Sequence, residues 1–251
     1  MNPFIRKSKM FSLYKKEITG FFSNLTGYIV IIIFLLANTL VMWVFSGQFN
    51  VLDAGYASLD TIFIIAPWVF LFLVPAITMK MFAEEVKSGT LELLLSRPLT
   101  HIQIVLGKYF ATITLVLLSL IPCLISYLSV YLLGNPIGDI DNGATWGSLI
   151  GLFLLGSVYA GLGLFTSSHT DNIIVAFILA AVMSFIFFYG FDKIAEIPGF
   201  KSLSTFIIYL GIQDHYQSIS RGVIDLRDVI YFLAVISIFI LLTKARLERR
   251  K

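Results

Sequence analysis

Six apolar runs, each about the length of a bilayer crossing and free of charge in its middle, constrain this chain more than anything else in it. They are Tyr28–Phe45, Ile62–Met81, Tyr109–Leu133, Thr145–Thr166, Ile173–Phe191 and Val229–Thr243. Crossing the ~30 Å hydrocarbon layer as a helix takes about 20 mostly apolar residues. Lipid offers no partner for backbone N–H and C=O groups, so each run must satisfy its own as a helix. Composition agrees: 58% of the 251 residues are hydrophobic and 13% charged, with a mean hydropathy of +0.90. A soluble domain carries about a quarter charged residues. The sequence therefore predicts an all-α polytopic protein with six transmembrane helices, a single membrane domain over residues 1–251 with no internal repeat or linker.

Several function classes are excluded on the same grounds. A net charge of +3 is too small to imply a nucleic-acid partner. No ionisable residue lies at mid-depth, where pumps and proton relays need one. No Gly-x-x-x-x-Gly-Lys-Ser/Thr occurs, so the chain does not bind ATP through a P-loop. The single Cys123 allows no intramolecular disulfide, and no Cys/His cluster has metal spacing. His101, His169 and His215 read as surface residues of loops and helix ends. Ser167-Ser168-His169-Thr170-Asp171 contains nucleophile, base and acid types, but a catalytic triad converges from separate elements. It reads as a tight turn, with Asp171 capping the next helix. No catalytic, cofactor-binding or metal residue is assigned. The basic stretch Arg6 to Lys16 is not followed by a cleavage-site pattern, which argues against a signal peptide.

Lysine and arginine set the orientation. Five lie in the N-terminal segment (Arg6, Lys7, Lys9, Lys15, Lys16). Four flank or occupy the loop after the second run (Lys80, Lys87, Arg97, Lys108), and five are in the C-terminal tail (Lys244, Arg246, Arg249, Arg250, Lys251). These are fourteen of the eighteen; residues 46–61 and 134–144 have none, and 192–228 has four. The sequence predicts both termini on the cytoplasmic side.

Three further segments are not spans. In Met10–Phe22, Phe11, Tyr14, Ile18 and Phe21 recur at helical spacing, with Lys15, Lys16 and Thr19 on other faces. This suits an amphipathic helix lying in the interface, or a basic anchor ahead of the first span. In the loop 82–108, Gly89 breaks the chain, Thr90–Ser96 forms a short leucine-rich helix and Pro98 ends it. Thr100 with Gln103 forms a capping-box pattern, flanked by Leu99 and Ile104 as a staple. The third helix then starts before the bilayer, runs about 48 Å from Ile102 to Leu133 at 1.5 Å per residue, and kinks at Pro122. In the outer loop 192–228, Phe200, Leu203, Phe206, Ile207 and Leu210 follow the Pro198-Gly199 break as a helical stripe. That stripe suits a helix dipping into the interface or an ordinary loop with a small core. Gly156, Gly161 and Gly163 in the fourth run leave room for close helix packing, within the chain or in a dimer seam.

Three motifs carry a resemblance. Glu84-Glu85-x-x-x-Gly89-Thr90-x-Glu92-x-Leu94-Leu95-x-x-Pro98 is the first. The second is Gly161-x-Gly163-Leu164-Phe165-x-Ser167-Ser168, followed by Asn172 and Ala176. The third is His215-Tyr216 with Arg221-Gly222-Val223-Ile224-Asp225-Leu226-Arg227-Asp228-Val229-Ile230-Tyr231-Phe232. In this order they resemble the ABC-2 type permeases, membrane subunits of ATP-driven transporters. Overall similarity points, within that family, to the gliding-motility-associated permeases of Bacteroidetes bacteria. The resemblance implies a bacterial inner-membrane subunit without its own cofactor, with ATP and Mg held by a separate ABC ATPase. Residues 88–97 would be the coupling helix seated in that ATPase, with Glu84, Glu85, Gly89, Thr90, Glu92, Leu94, Leu95 and Pro98 forming the contact region. Phe11, Tyr14, Lys15, Lys16 and Ile18 would belong to the interfacial connecting helix, and 200–210 to a short outer helix pair. Two such domains, the same or related, would pair in the lipid bilayer. Glu84 and Glu85 could pair with Lys15 or Lys16, or stand as a solvated helix end. The other class in play is a self-sufficient carrier or channel. It would need ionisable groups in the spans or matching broken helices, and Pro67, Pro75 and Pro122 are the only breaks. An intramembrane enzyme would need paired catalytic residues at depth, which are not seen.

Overall fold

The computed structural model describes residues 3–222 and 224–249, with backbone alone for 3–9 and Phe200. Val223 of the third motif and Arg250 and Lys251 of the basic tail lie outside the described residues. In chain order the helices are α1 (Pro3–Ser23), α2 (Thr26–Thr39), α3 (Val51–Ala54), α4 (Asp60–Thr78), α5 (Lys80–Lys87), α6 (Thr90–Leu95) and α7 (His101–Leu120). They continue as α8 (Cys123–Leu133), α9 (Asn142–Ser167), α10 (Ile173–Phe185), α11 (Phe191–Ala195), α12 (Ser204–Leu210), α13 (Ile212–Ile219) and α14 (Leu226–Glu248). No strand occurs among the described residues. Six helical stretches are long and apolar enough to cross a membrane: Thr26–Val44, Asp60–Lys87, His101–Leu133, Asn142–Ser167, Ile173–Ala195 and Leu226–Glu248.

Each stretch matches one apolar run, and most extend beyond it because polar caps and first turns continue the helix past the hydrocarbon. Asp141 Oδ1 accepts from Ala144 N (2.9 Å) to start α9, and Asp225 Oδ1 from Arg227 N (2.8 Å) to start α14. The cap of α10 is Asn172, whose Oδ1 accepts from Ile174 N (3.0 Å); the expected Asp171 stands one residue too early. Pro122 breaks the third span as expected, separating α7 from α8. Pro67 and Pro75 lie inside α4 without ending it. The second span is interrupted at Met79, one turn after Pro75, where Thr78 Oγ1 bonds back to Val74 O (2.9 Å).

The bundle is organised around α9, with 72% of its apolar window buried, against 22% for the α10 span and 28% for the α2 span. It packs against α4, α7, α10 and α14. Its small residues make this possible. Gly156 faces Val116 and Phe70, Gly161 faces Phe239, and Gly163 faces Thr78, all in the same chain and all three glycines buried. None of the three is left on an outer surface for a dimer seam.

The loop 192–228 closes on the start of α14. α12 buries no residue and exposes Leu203's neighbour Phe206 together with Tyr209 and Leu210, while α13 supplies the core through Ile212, Tyr216 and Ile219. Tyr216 Oη donates to Phe63 O (2.7 Å), and burial pushes its hydroxyl pKa up. His215 is not the surface residue expected from its loop position. It is buried, with Nδ1 2.6 Å from Asp228 Oδ1, Nε2 3.0 Å from Tyr209 O, and its ring stacked on Tyr231 at 3.9 Å. A buried imidazole needs partners for both nitrogens, and the chain supplies them from α12 and the first turn of α14.

Candidate coupling site

At the lysine-rich end of the bundle the second span runs on beyond its apolar part as α5. Gly89 then takes φ +70°, a left-handed conformation that glycine enters without strain. A Cβ there would meet nothing, so backbone conformation alone requires the glycine. Ser88 Oγ donates to Glu84 O (2.8 Å) and lies 2.8 Å from Thr90 Oγ1, bracing the turn. α6 follows, and the capping contact expected for the next helix forms as Gln103 Oε1 accepts from Thr100 N (3.0 Å).

The six residues of α6 divide by face. Leu91 and Leu94 are buried against the bundle and Leu95 is half-buried. Thr90, Glu92 and Leu93 are exposed, Leu93 at 68%. Among the residues singled out in the first motif, Glu84, Gly89, Thr90, Glu92 and Pro98 face outward, while Leu94 faces inward. The free apolar contact is therefore Leu93. A helix this short gives too few turns for periodicity to assign its faces.

Three elements meet behind this helix. α1 lies across α7, with Leu13 over Gly107 and Tyr14 Oη 3.1 Å from Thr114 Oγ1. Ile18 packs on the core, whereas Phe11 and Lys15 are exposed. At the centre is Lys108 of α7, 1% exposed. Its Nζ donates to Glu85 Oε1 of α5 (2.9 Å) and Glu17 Oε1 of α1 (3.1 Å), and sits 5.3 Å from the Phe82 ring centre. Lys16 approaches both carboxylates from the rim, at 3.9 and 3.8 Å. The expectation that Glu84 or Glu85 pairs with Lys15 or Lys16 is thus corrected. Glu85 is held chiefly by Lys108, with Lys16 secondary, and among the described residues Glu84 and Lys15 make no ion pair. A nearly buried carboxylate is held more strongly by a buried ammonium than by an exposed one, because low local dielectric strengthens the attraction.

Lys108 and Glu17 were not singled out by the motifs. A signal existed: Lys108 lies among Ile104, Val105, Ala111, Thr112 and Leu115, all buried on one helix. A charge on that face requires a partner.

The fourth span clamps the second at its interruption. Ser167 Oγ accepts from Phe82 N (3.0 Å) and Ala83 N (3.1 Å) and donates to Met79 O (3.0 Å). Four residues earlier on α9, a Cβ on Gly163 would fall on top of Thr78 Oγ1 and 2.7 Å from its Cβ. The second motif's glycine and serine thus grip the joint from which α5 and α6 project. Ser167 Oγ is committed to the second span, while His169 Nδ1 lies 3.2 Å from Ser168 Oγ and 2.9 Å from Phe165 O. No group of three or more His, Cys, Asp or Glu able to hold a metal occurs among the described residues.

A family model described as ABC-2 family transporter protein matches residues 70–251. The chain belongs to this family. The match takes in α5, α6, Ser167 and the His215–Asp228 corner, while α1 and α2 precede it. No curated protein matches the chain. ABC-2 family membership and the six apolar helices make it a multi-pass membrane subunit of an ABC-type transporter.

Proposed function

We propose that this ABC-2 subunit is driven by a separate ABC ATPase, which grips the exposed face of α6 and holds ATP and Mg. In this reading α1, α6 and both termini are cytoplasmic, in a bacterial inner membrane, and two such domains pair to form the transport path. The lysine and arginine asymmetry supports the orientation. The observation that carries the coupling role is the Lys108 cluster. It fastens α5, and with it α6, to the interfacial helix α1 and the third span through one buried ammonium. Motion imposed on α6 is thereby shared with two further elements instead of dissipating in a loose loop. A role in surface motility rests on the sequence resemblance to the gliding-motility-associated permeases alone; deleting the gene in a gliding host is expected to stop colony spreading.

The coupling role is tested by comparing neighbours on α6. Leu93→Asp alters only the exposed face, so it is expected to abolish co-purification of the ATPase while expression and melting temperature stay unchanged. Leu94→Asp buries a carboxylate in the bundle and is expected to destabilise the subunit itself. Full ATPase retention by a well-expressed Leu93→Asp subunit contradicts the coupling role of this face.

A further inference from the structure

Beside the Lys108 cluster a cavity of about 410 Å³ runs between α1 and the α4–α5 rod. Ala76, Lys80, Glu84 and Ser88 line one wall, succeeding one another every four residues. At 1.5 Å per residue this ridge changes character about every 6 Å along the helix: apolar, basic, acidic, hydroxyl. One turn earlier, Phe72 continues it into the apolar span, 57% exposed. Lys16 and Gly20 of α1, with Asn24 just past its end, form the opposite wall.

The groups left free in this groove carry both signs. Lys80 and Glu84 are exposed and form no ion pair among the described residues, although each lines the cavity. Glu85 spends Oε1 on Lys108, while its Oε2 is buried with no hydrogen-bond partner. That oxygen is shut off from the groove, so the acidic group open to a ligand is the exposed carboxylate of Glu84, which calls for a cation. At its basic end Lys80 calls for an anion, while Lys16 across the groove already faces Glu17 and Glu85.

We propose that this groove binds a phosphoethanolamine group as the headgroup of phosphatidylethanolamine. The phosphate sits by Lys80, the primary ammonium by Glu84, and an acyl chain follows Ala76 and Phe72 into the bilayer. Lys80 stands where the apolar run ends, the depth at which lipid phosphates lie and lysines snorkel. A choline headgroup has no N–H to offer Glu84, and a glycerol headgroup has no cation for it. The exposed apolar ridge favours the lipid over soluble phosphoethanolamine. The inference rests on the membrane placement of the spans and is independent of ATPase coupling.

The test is native mass spectrometry of the delipidated full-length chain in detergent, with phosphatidylethanolamine, phosphatidylcholine or phosphatidylglycerol added back. Phosphatidylethanolamine is expected to bind at least about tenfold more tightly than the other two. Lys80→Ala and Glu84→Gln should each weaken it about tenfold, the loss of one charge-assisted hydrogen bond, with melting temperature unchanged. Lys201→Ala, in the loop 192–228, should leave it unaltered. Equal binding of the three lipids, or phosphatidylethanolamine binding indifferent to Lys80→Ala and Glu84→Gln, overturns the site. Displacement of the lipid by an equal concentration of soluble phosphoethanolamine overturns its assignment to a lipid. Loss of the ATPase from the complex in these variants, with lipid binding intact, assigns the groove to a protein partner and also overturns it.

Discussion

Lys108→Met is expected to destabilise the subunit by about 3–5 kcal/mol, the cost of removing one partner from a buried ion pair. The variant leaves Glu17 and Glu85, about 16% and 15% exposed, facing each other with only the rim lysine Lys16 nearby. Two carboxylates held close in a poorly solvated site repel. Melting in detergent should fall by roughly 10 °C. Methionine fills the space of the lysine stem, so the loss reports charge and not volume. Adding Glu17→Gln and Glu85→Gln removes the uncompensated charges and should restore most of the stability, because a buried ion pair is worth little more than a well-packed neutral replacement. A loss below about 1 kcal/mol for Lys108→Met is the size of an exposed surface pair. It would mean that water reaches the cluster freely.

Gly163→Ala should cost about 3 kcal/mol, at the upper end of over-packing, whereas Gly161→Ala, two residues away, should be within about 0.5 kcal/mol of neutral. The added Cβ at 163 lands on Thr78, whose hydroxyl is held by Val74 O and Pro75 O and which abuts the interruption at Met79. Thr78 is fully buried and has nowhere to retreat. At 161 the nearest atom is Phe239 Cβ at 3.6 Å, an ordinary contact. Exchanging the small residue across the interface, Gly163→Ala with Thr78→Gly, should recover most of the loss, less about 1 kcal/mol for a glycine inside a helix. Thermal melting in detergent reads all three; equal effects at 161 and 163 would show that α9 does not grip the second span here.

How much of this was legible in the sequence depended on the range of the interaction. The six spans were readable because bilayer thickness imposes a length and an apolar composition on each segment separately. Gly89, Pro98, the Thr100–Gln103 cap and the Pro122 break were readable for the same reason, since each acts on its own few residues. Contacts between distant segments were not. Glu17 reaches Lys108 across 91 positions, and Ser167 reaches Met79 across 88. Nothing local to Ser167 distinguishes a serine that closes a turn from one that braces another helix. His215 looked like a loop residue because its partners, Tyr209 and Asp228, belong to different helices and meet only once the loop 192–228 folds onto α14. The inward turn of Leu94 and outward turn of Leu93 lay below the resolution of any periodicity argument, as α6 is less than two turns long.

The central claim is that α6 is the cytoplasmic handle by which an ATPase moves this bundle. Its most direct test places a photo-crosslinking amino acid at position 93 in the intact cell. The account predicts an adduct with an ABC ATPase chain from position 93, where the side chain is 68% exposed, and none from position 94, where it is 6% exposed. Modification of a cysteine at position 93 by a membrane-impermeant thiol reagent added outside the cell, with no ATPase adduct from either position, would contradict it.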